Sequence, residues 1–258
     1  MEPEVLIFED QRQLNETLAN RLQQLAPEAV EKRGRFLLVL SGGSTPRLLF
    51  RLLAQEPYAS GIPWSQTHIF WADERAVPPL SEESNYALAQ ELLLSQVPIP
   101  NHQIHRIQGE LDDPHSAAER YTETLRQVAE EGRPWPRFDL VLLGLGSDGH
   151  TASLFPGAIL PLEQEQPVLA ASGTYEDRPP DRISLTPAAI NSARQVFFLV
   201  TGGNKAPAVA ATLQGPRDLE RYPAQRIRPT NGSVVWFIDS EAATNLERNK
   251  GEDNVQTS

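Results

Sequence analysis

Phe138-Asp139-Leu140-Val141-Leu142-Leu143-Gly144-Leu145-Gly146-Ser147-Asp148-Gly149-His150-Thr151-Ala152-Ser153-Leu154-Phe155-Pro156 joins two kinds of sequence. Up to Leu143 it is a short continuous apolar run, the pattern of a strand buried on both faces of a parallel sheet. The run stops at Gly144 and Gly146, and a glycine-rich turn then carries Asp148 and His150. Open α/β sheets bind ligands outside the carboxyl ends of their strands. The stretch therefore delivers a carboxylate and an imidazole to the place where such folds do chemistry. A tight turn with a polar histidine packed into it fits the same letters, and the stretch alone does not choose.

Working upstream, residues 36–40 form another apolar run, which leads directly into Ser41-Gly42-Gly43-Ser44-Thr45-Pro46. Thr45 is placed to cap a helix with Pro46 in its first turn. Strand, glycine-rich turn and helix N-terminus together make an anion site, because turn N–H groups and the helix dipole both favour a phosphate. Neither the GxxxxGK[ST] nor the GxGxxG pattern is present there, so nucleotide hydrolysis and dinucleotide binding are not implied. Before it, residues 5–8 read as a first strand. Leu14, Leu18, Leu22 and Leu25 mark one face of a helix beginning at Asp10, with Pro27 and Gly34 punctuating its end. After it, residues 68–72 read as a strand ending in Asp73-Glu74-Arg75, three charges that belong either to a solvated loop or to a site. A helix is expected over 84–97. His102 and His105 have no carboxylates at ligand spacing and read as surface or packing residues. Asp113-Pro114 opens a further helix that ends at Gly132.

Downstream, residues 157–181 lack periodicity apart from a strand-like run at 168–171, and loops of this length are usually functional or mobile. Residues 182–185 make a short strand, and Thr186-Pro187 repeats the capping pattern. Residues 195–200 form a buried strand that runs into Thr201-Gly202-Gly203-Asn204-Lys205 and a helix over 206–213. A cation at a helix start opposes the dipole, so Lys205 is more natural with an anion beside it; a solvated lysine is the alternative. Residues 234–238 are the last strand. Alternating strands and helices define an α/β protein with a mostly parallel sheet. The 258 residues suit one α/β domain with a small excursion, over 1–246, followed by a flexible tail at 247–258.

Composition narrows the partners. A formal net charge of −11 argues against nucleic acid and anionic membrane as partners, while leaving room for a phosphorylated small molecule met by a few local cations. With no cysteine, thiolate nucleophiles, disulfides and Cys-ligated metals are excluded. The acidic N-terminal residues lack a signal-peptide pattern and no apolar run has transmembrane length, so a soluble cytoplasmic protein is expected.

Four turns fall at one sheet edge: residues 41–45, 73–75, 148–153 and 202–205. Together they resemble the 6-phosphogluconolactonase family. That family carries a Ser-Gly-Gly-Ser/Thr turn, Asp-Glu-Arg-x-Val-Pro, Gly-x-Gly-x-Asp-Gly-His-x-Ala-Ser-Leu-Phe-Pro and Thr-Gly-x-x-Lys-Ala. All four stand here in that order, and the resemblance spans residues 5 to about 245. It implies a Rossmann-like three-layer fold and hydrolysis of 6-phospho-D-glucono-1,5-lactone in the oxidative pentose phosphate route. It implies no metal and no organic cofactor. A monomer or small homo-oligomer is expected.

On these residues, His150 is the candidate general base. Asp148 either orients its ring or shapes the turn. The phosphate is assigned to Gly42, Gly43, Ser44 and Thr45, with Arg75 and Lys205 as cations. Asp73 either hydrogen-bonds sugar hydroxyls or holds Arg75. A triad using Ser153 as nucleophile is the minor alternative, since no G-x-S-x-G elbow surrounds it. The rival family on the same fold, the amino-sugar-phosphate deaminases, has Glu immediately before the motif's Pro, where this chain has Phe155, and Asp-Glu-Tyr where it has Asp73-Glu74-Arg75. A sugar-phosphate-binding regulator is the non-enzyme alternative, but no helix-turn-helix appendage accompanies the anion turns.

Overall fold

The structure is a computed structural model that describes residues 3–157, 166–173 and 179–247. The chain runs through β1 (Glu4–Phe8), α1 (Gln11–Arg33), β2 (Phe36–Leu40), α2 (Pro46–Leu53), the single-turn α3 (Tyr58–Gly61), β3 (Thr67–Trp71), β4 (Asp73–Arg75) and α4 (Asn85–Ala89). It continues through α5 (Pro114–Val128), β5 (Leu140–Leu143), β6 (Val168–Ser172), β7 (Asp181–Leu185), α6 (Pro187–Asn191), β8 (Gln195–Val200), α7 (Ala206–Leu213) and β9 (Ser233–Asp239).

Six strands make one sheet in the order β1-β9-β8-β5-β2-β3, and every neighbouring pair is parallel. The fold is α/β, as the sequence predicts. All residues of β2 and β5 are buried, which is why both read as unbroken apolar runs. The chain leaves β2 toward β3 on one side, whereas β5 leads on to β8 on the other. The order therefore reverses between β2 and β5, and the crevice at such a reversal is where open α/β sheets bind ligands. Ser41 Oγ donates to Leu142 O at 2.8 Å and ties the two strand ends together there.

The opposite end of the sheet is closed by charge. Asp139, just before β5, accepts from Leu37 N at 2.8 Å and pairs with Arg33 (2.8 Å) and Arg194 (3.2 Å). Burial pushes its carboxyl up, and the Leu37 N–H and the two guanidinium groups oppose that. At the β3 edge, the buried Tyr121 hydroxyl donates to Trp71 O and accepts from Trp71 N, and His105 N donates to Ile69 O. These contacts satisfy backbone groups that an open edge would leave unpaired.

A second, antiparallel sheet has the order β4-β7-β6 and packs against α5. Asp73-Glu74-Arg75 is thus not the loop end of β3 but a strand, paired register for register with residues 182–184.

Several local expectations change. α1 runs straight through Pro27 to Arg33 and ends where Gly34 (φ 74°) donates back to Val30 O. Pro27 lies on the exposed side, while Leu22, Ala26 and Ala29 bury the other face and hold the helix across the missing hydrogen bond. Thr45 does not cap α2: its own backbone is helical (φ −61°, ψ −45°), so its hydroxyl is not directed back at the following N–H groups. Thr186 has the extended backbone a cap needs (ψ 161°) and accepts from Ala189 N. The helix expected over 84–97 is α4 followed by a wider π-type turn at Gln90–Leu94. α5 stops at Val128, four residues before Gly132. Within the aperiodic stretch, β6 forms as expected, while residues 158–165 and 174–178 lie outside the described residues, as does the tail from 248.

Candidate active site

A cavity of about 400 Å³ opens at the carboxyl ends of β2, β5 and β8. Its walls include Gly42, Gly43, Ser44 and Thr45 after β2, Asp73 and Arg75 from β4, His150 after β5, and Lys205 after β8. Every residue assigned to catalysis or phosphate from the sequence except Asp148 reaches this wall, and Asp148 contacts His150; Ser153, the alternative nucleophile, does not line it.

One part of the wall presents N–H donors and cations that an anion would suit. Among the described residues, the N–H groups of Gly43, Ser44 and Thr45 donate to no protein acceptor. These are the groups a bound phosphate would take up. Gly42 must be glycine for a steric reason: a Cβ there would lie 1.7 Å from Asn85 Oδ1. Arg75 Nη1 donates to Glu83 O, and its guanidinium lies 3.9 Å from the Glu83 carboxylate. The Lys205 turn starts at Gly202, whose φ of 93° suits only glycine. The buried Asp239, at the end of β9, holds that turn: both of its oxygens accept from Gly202 N (2.9 and 3.1 Å), and Oδ1 also accepts from Ala242 N at 2.8 Å.

The other end carries acid–base groups. His150 Nδ1 lies 2.6 Å from Asp148 Oδ1, and the same oxygen accepts from His150 N at 3.1 Å. With the proton on Nδ1 donated to the carboxylate, Nε2 keeps a lone pair. Burial raises the Asp148 carboxyl, but the hydrogen bond and charge of His150 outweigh it and hold the group below its usual range. The loop closes on itself through Gly146 N donating to His150 O at 2.7 Å. A Cβ on Gly146 would lie 2.1 Å from His150 Nδ1, so glycine lets the ring fold back over the turn. The Phe155 ring lies 5.3 Å from the His150 ring, at the position where the deaminase pattern has glutamate.

Asp73 joins the two ends. It is 9% exposed, and its Oδ2 accepts from Ser153 Oγ at 2.7 Å. Asn85 Nδ2 donates to Asp73 O at 2.8 Å and lies 3.4 Å from its Oδ1. Ser153 is buried with its hydroxyl donating to Asp73, and it does not line the cavity. Glu74, buried beside them, accepts from Arg75 N, Asn85 N, Tyr86 N and Ser84 Oγ. Burial pushes its carboxyl up against those four donors. Among the described residues no group of three or more His, Cys, Asp or Glu is arranged to hold a metal ion.

Asn85, which lines the cavity, and Asp239, which holds the Lys205 turn, were not singled out by the sequence. Asn85 follows Ser84 at a helix start, and nothing in the letters says that its side chain crosses to Asp73 and Gly42. Asp239 ends a strand 34 residues after Lys205.

A family profile described as glucosamine-6-phosphate isomerases/6-phosphogluconolactonase matches residues 9–236. A protein named 6-phosphogluconolactonase from Haemophilus influenzae is 41% identical over 203 residues, covering 79% of this chain and 84% of the relative. A rice protein named probable 6-phosphogluconolactonase 4, chloroplastic, is 39% identical over 252 residues, covering 95% of this chain and 77% of the relative. Among solved structures, a 6-phosphogluconolactonase from Trypanosoma brucei superposes with a TM-score of 0.83 at 29% identity, covering 95% of this chain and 99% of that one. A monomeric glucosamine-6-phosphate deaminase shares the fold at 19% identity with a TM-score of 0.78. On the profile that spans most of its length and the relatives aligned over the same residues, the chain belongs to the glucosamine-6-phosphate isomerase/6-phosphogluconolactonase family.

Proposed function

We propose that the chain hydrolyses 6-phospho-D-glucono-1,5-lactone to 6-phospho-D-gluconate, the lactonase step of the oxidative pentose phosphate route. The observation that carries this reading is the Asp148–His150 couple at 2.6 Å, on a cavity whose wall also holds Arg75, Lys205 and a turn whose N–H groups at Gly43, Ser44 and Thr45 have no protein acceptor among the described residues. The 6-phosphate sits on Gly42–Thr45 and takes up Arg75 and Lys205, which extends the sugar ring toward His150. Asp73 accepts a ring hydroxyl through the edge of its carboxylate that faces the cavity.

Water attacks the C1 carbonyl as His150 Nε2 takes its proton, and Asp148 stabilises the resulting imidazolium. The tetrahedral intermediate then collapses. The bond from C1 to the ring oxygen breaks, and the imidazolium returns the proton to that oxygen as it becomes the C5 hydroxyl. The products are the open-chain acid, which loses its carboxyl proton to solvent, and the resting imidazole. Phe155 favours this reaction over amino-sugar-phosphate deamination, because an aromatic ring stands on His150 where the rival chemistry places a carboxylate.

Acid release from the phosphorylated lactone, corrected for spontaneous hydrolysis, tests the reading against ammonia release from glucosamine 6-phosphate. Acid release without ammonia release is the expected result; ammonia release instead would reassign the chain to the deaminase branch.

A further inference from the structure

Asn85 has contacts that the hydrolytic reading does not use. Its side chain is buried at 2% exposure and lines the cavity. On one side Nδ2 donates to Asp73 O and approaches Asp73 Oδ1. On the other side Oδ1 is buried without a hydrogen-bond partner among the described residues and lies against Gly42 so closely that no Cβ fits between them. The Asn85 backbone cannot yield, because its N–H is held by Glu74 Oε1 at 2.7 Å. A buried carbonyl oxygen without a partner is costly, and a native fold that keeps one calls for an explanation.

We propose that Asn85 is a positioning residue that couples occupancy of the Gly42–Thr45 turn to the placement of Asp73, so that phosphate at one end of the cavity sets the geometry at the other. An anion drawn onto the N–H groups of Gly43, Ser44 and Thr45 shifts the Gly42 peptide. Close packing passes that shift to the Asn85 amide, and the amide carries it to Asp73. Ser153 holds the other Asp73 oxygen, so the carboxylate turns about a fixed point. The phosphate then acts in the reaction as well as in binding: energy from a non-reacting part of the substrate is spent on orientation.

This rests on the lactonase reading, and the test separates the two. The probe is phosphite dianion added to unphosphorylated D-glucono-1,5-lactone, with blanks for spontaneous and phosphite-catalysed hydrolysis. Phosphite should raise kcat/KM for the truncated lactone in the native enzyme by a factor within the usual coupling range, about 5- to 150-fold. Asn85→Ala should abolish that activation while phosphite inhibits turnover of the phosphorylated lactone as strongly as before. A second measurement uses the collision. Gly42→Ala should be harmful alone, and Gly42→Ala/Asn85→Ala should be no worse than Asn85→Ala, since the deleted amide makes room for the new methyl group. Phosphite that competes without activating, equal activation in the Asn85 variant, or additive losses in the cycle would each overturn the coupling and leave the lactonase reading intact. Phosphite that neither competes nor activates would overturn the anion turn and the coupling together.

Discussion

A histidine acts as a base through one nitrogen, and what its other nitrogen touches decides which one. Here Asp148 Oδ1 lies 2.6 Å from Nδ1 and Phe155 lies 5.3 Å from the ring, contacts that favour a proton on Nδ1 and orient the imidazole. The cations should separate by substrate. If the ammonium meets only the phosphate, as proposed, Lys205→Ala should reduce kcat/KM for the phosphorylated lactone far more than for unphosphorylated gluconolactone. Parallel kinetics on both lactones check this, and equal losses would place Lys205 in another role. Gly42, Gly43, His150 and Lys205 were legible as residues of one cavity because their motifs stand where strands end. Asn85 was hidden because its side chain meets Gly42 across 43 residues of sequence. Thr45 was misread as a cap because capping depends on a backbone angle that Thr-Pro does not specify by itself.

At the scale of elements, apolar runs showed the core strands well, since β2 and β5 are buried throughout. β4 was invisible for the opposite reason. Three consecutive charged residues have no strand pattern, and only pairing with β7, over a hundred residues later, makes them one. The anchor at the far end of β5 is a test of stability apart from chemistry. Asp139→Ala leaves Arg33, Arg194 and Leu37 N without their shared acceptor and should cost about 3 kcal/mol, as removing one partner of a buried ion pair does. Urea unfolding reads that loss, and kcat of the folded fraction should be unchanged because the residue lies away from the cavity. At the β3 edge, His105 stacks on Phe70, and its Nε2 lies 3.0 Å from His68 Nδ1. Burial, with His68, His102 and Arg35 adding to it, lowers its pKa to about 4. The unfolded chain therefore binds this proton first, so stability is lost as pH falls below the ordinary histidine value of about 6.5 toward the folded value. Thermal melts across that window should show a steeper acid decline in the native chain than in His105→Phe, which keeps the stacking without the titration. Equal slopes would show that His105 does not drive the decline.

For the molecule as a whole, the alternation of strands and helices was enough to expect a parallel α/β sheet, while the order β1-β9-β8-β5-β2-β3 was not readable, because strand order depends on which crossover goes to which side. That order makes the site: it sets the anion turn after β2 beside the histidine turn after β5. A chain of net charge −11 then gathers Arg75 and Lys205 at one cavity, which suits an anionic substrate on an otherwise acidic molecule. The most direct test is the rate of acid release from 6-phospho-D-glucono-1,5-lactone by the native enzyme and by His150→Asn, measured across pH with spontaneous hydrolysis subtracted. The native enzyme is expected to hydrolyse the lactone, and the variant to be slower by on the order of 10²–10⁴-fold with undiminished affinity for 6-phosphogluconate. A His150→Asn variant with near-native activity, or a native enzyme that leaves the lactone untouched, would contradict it.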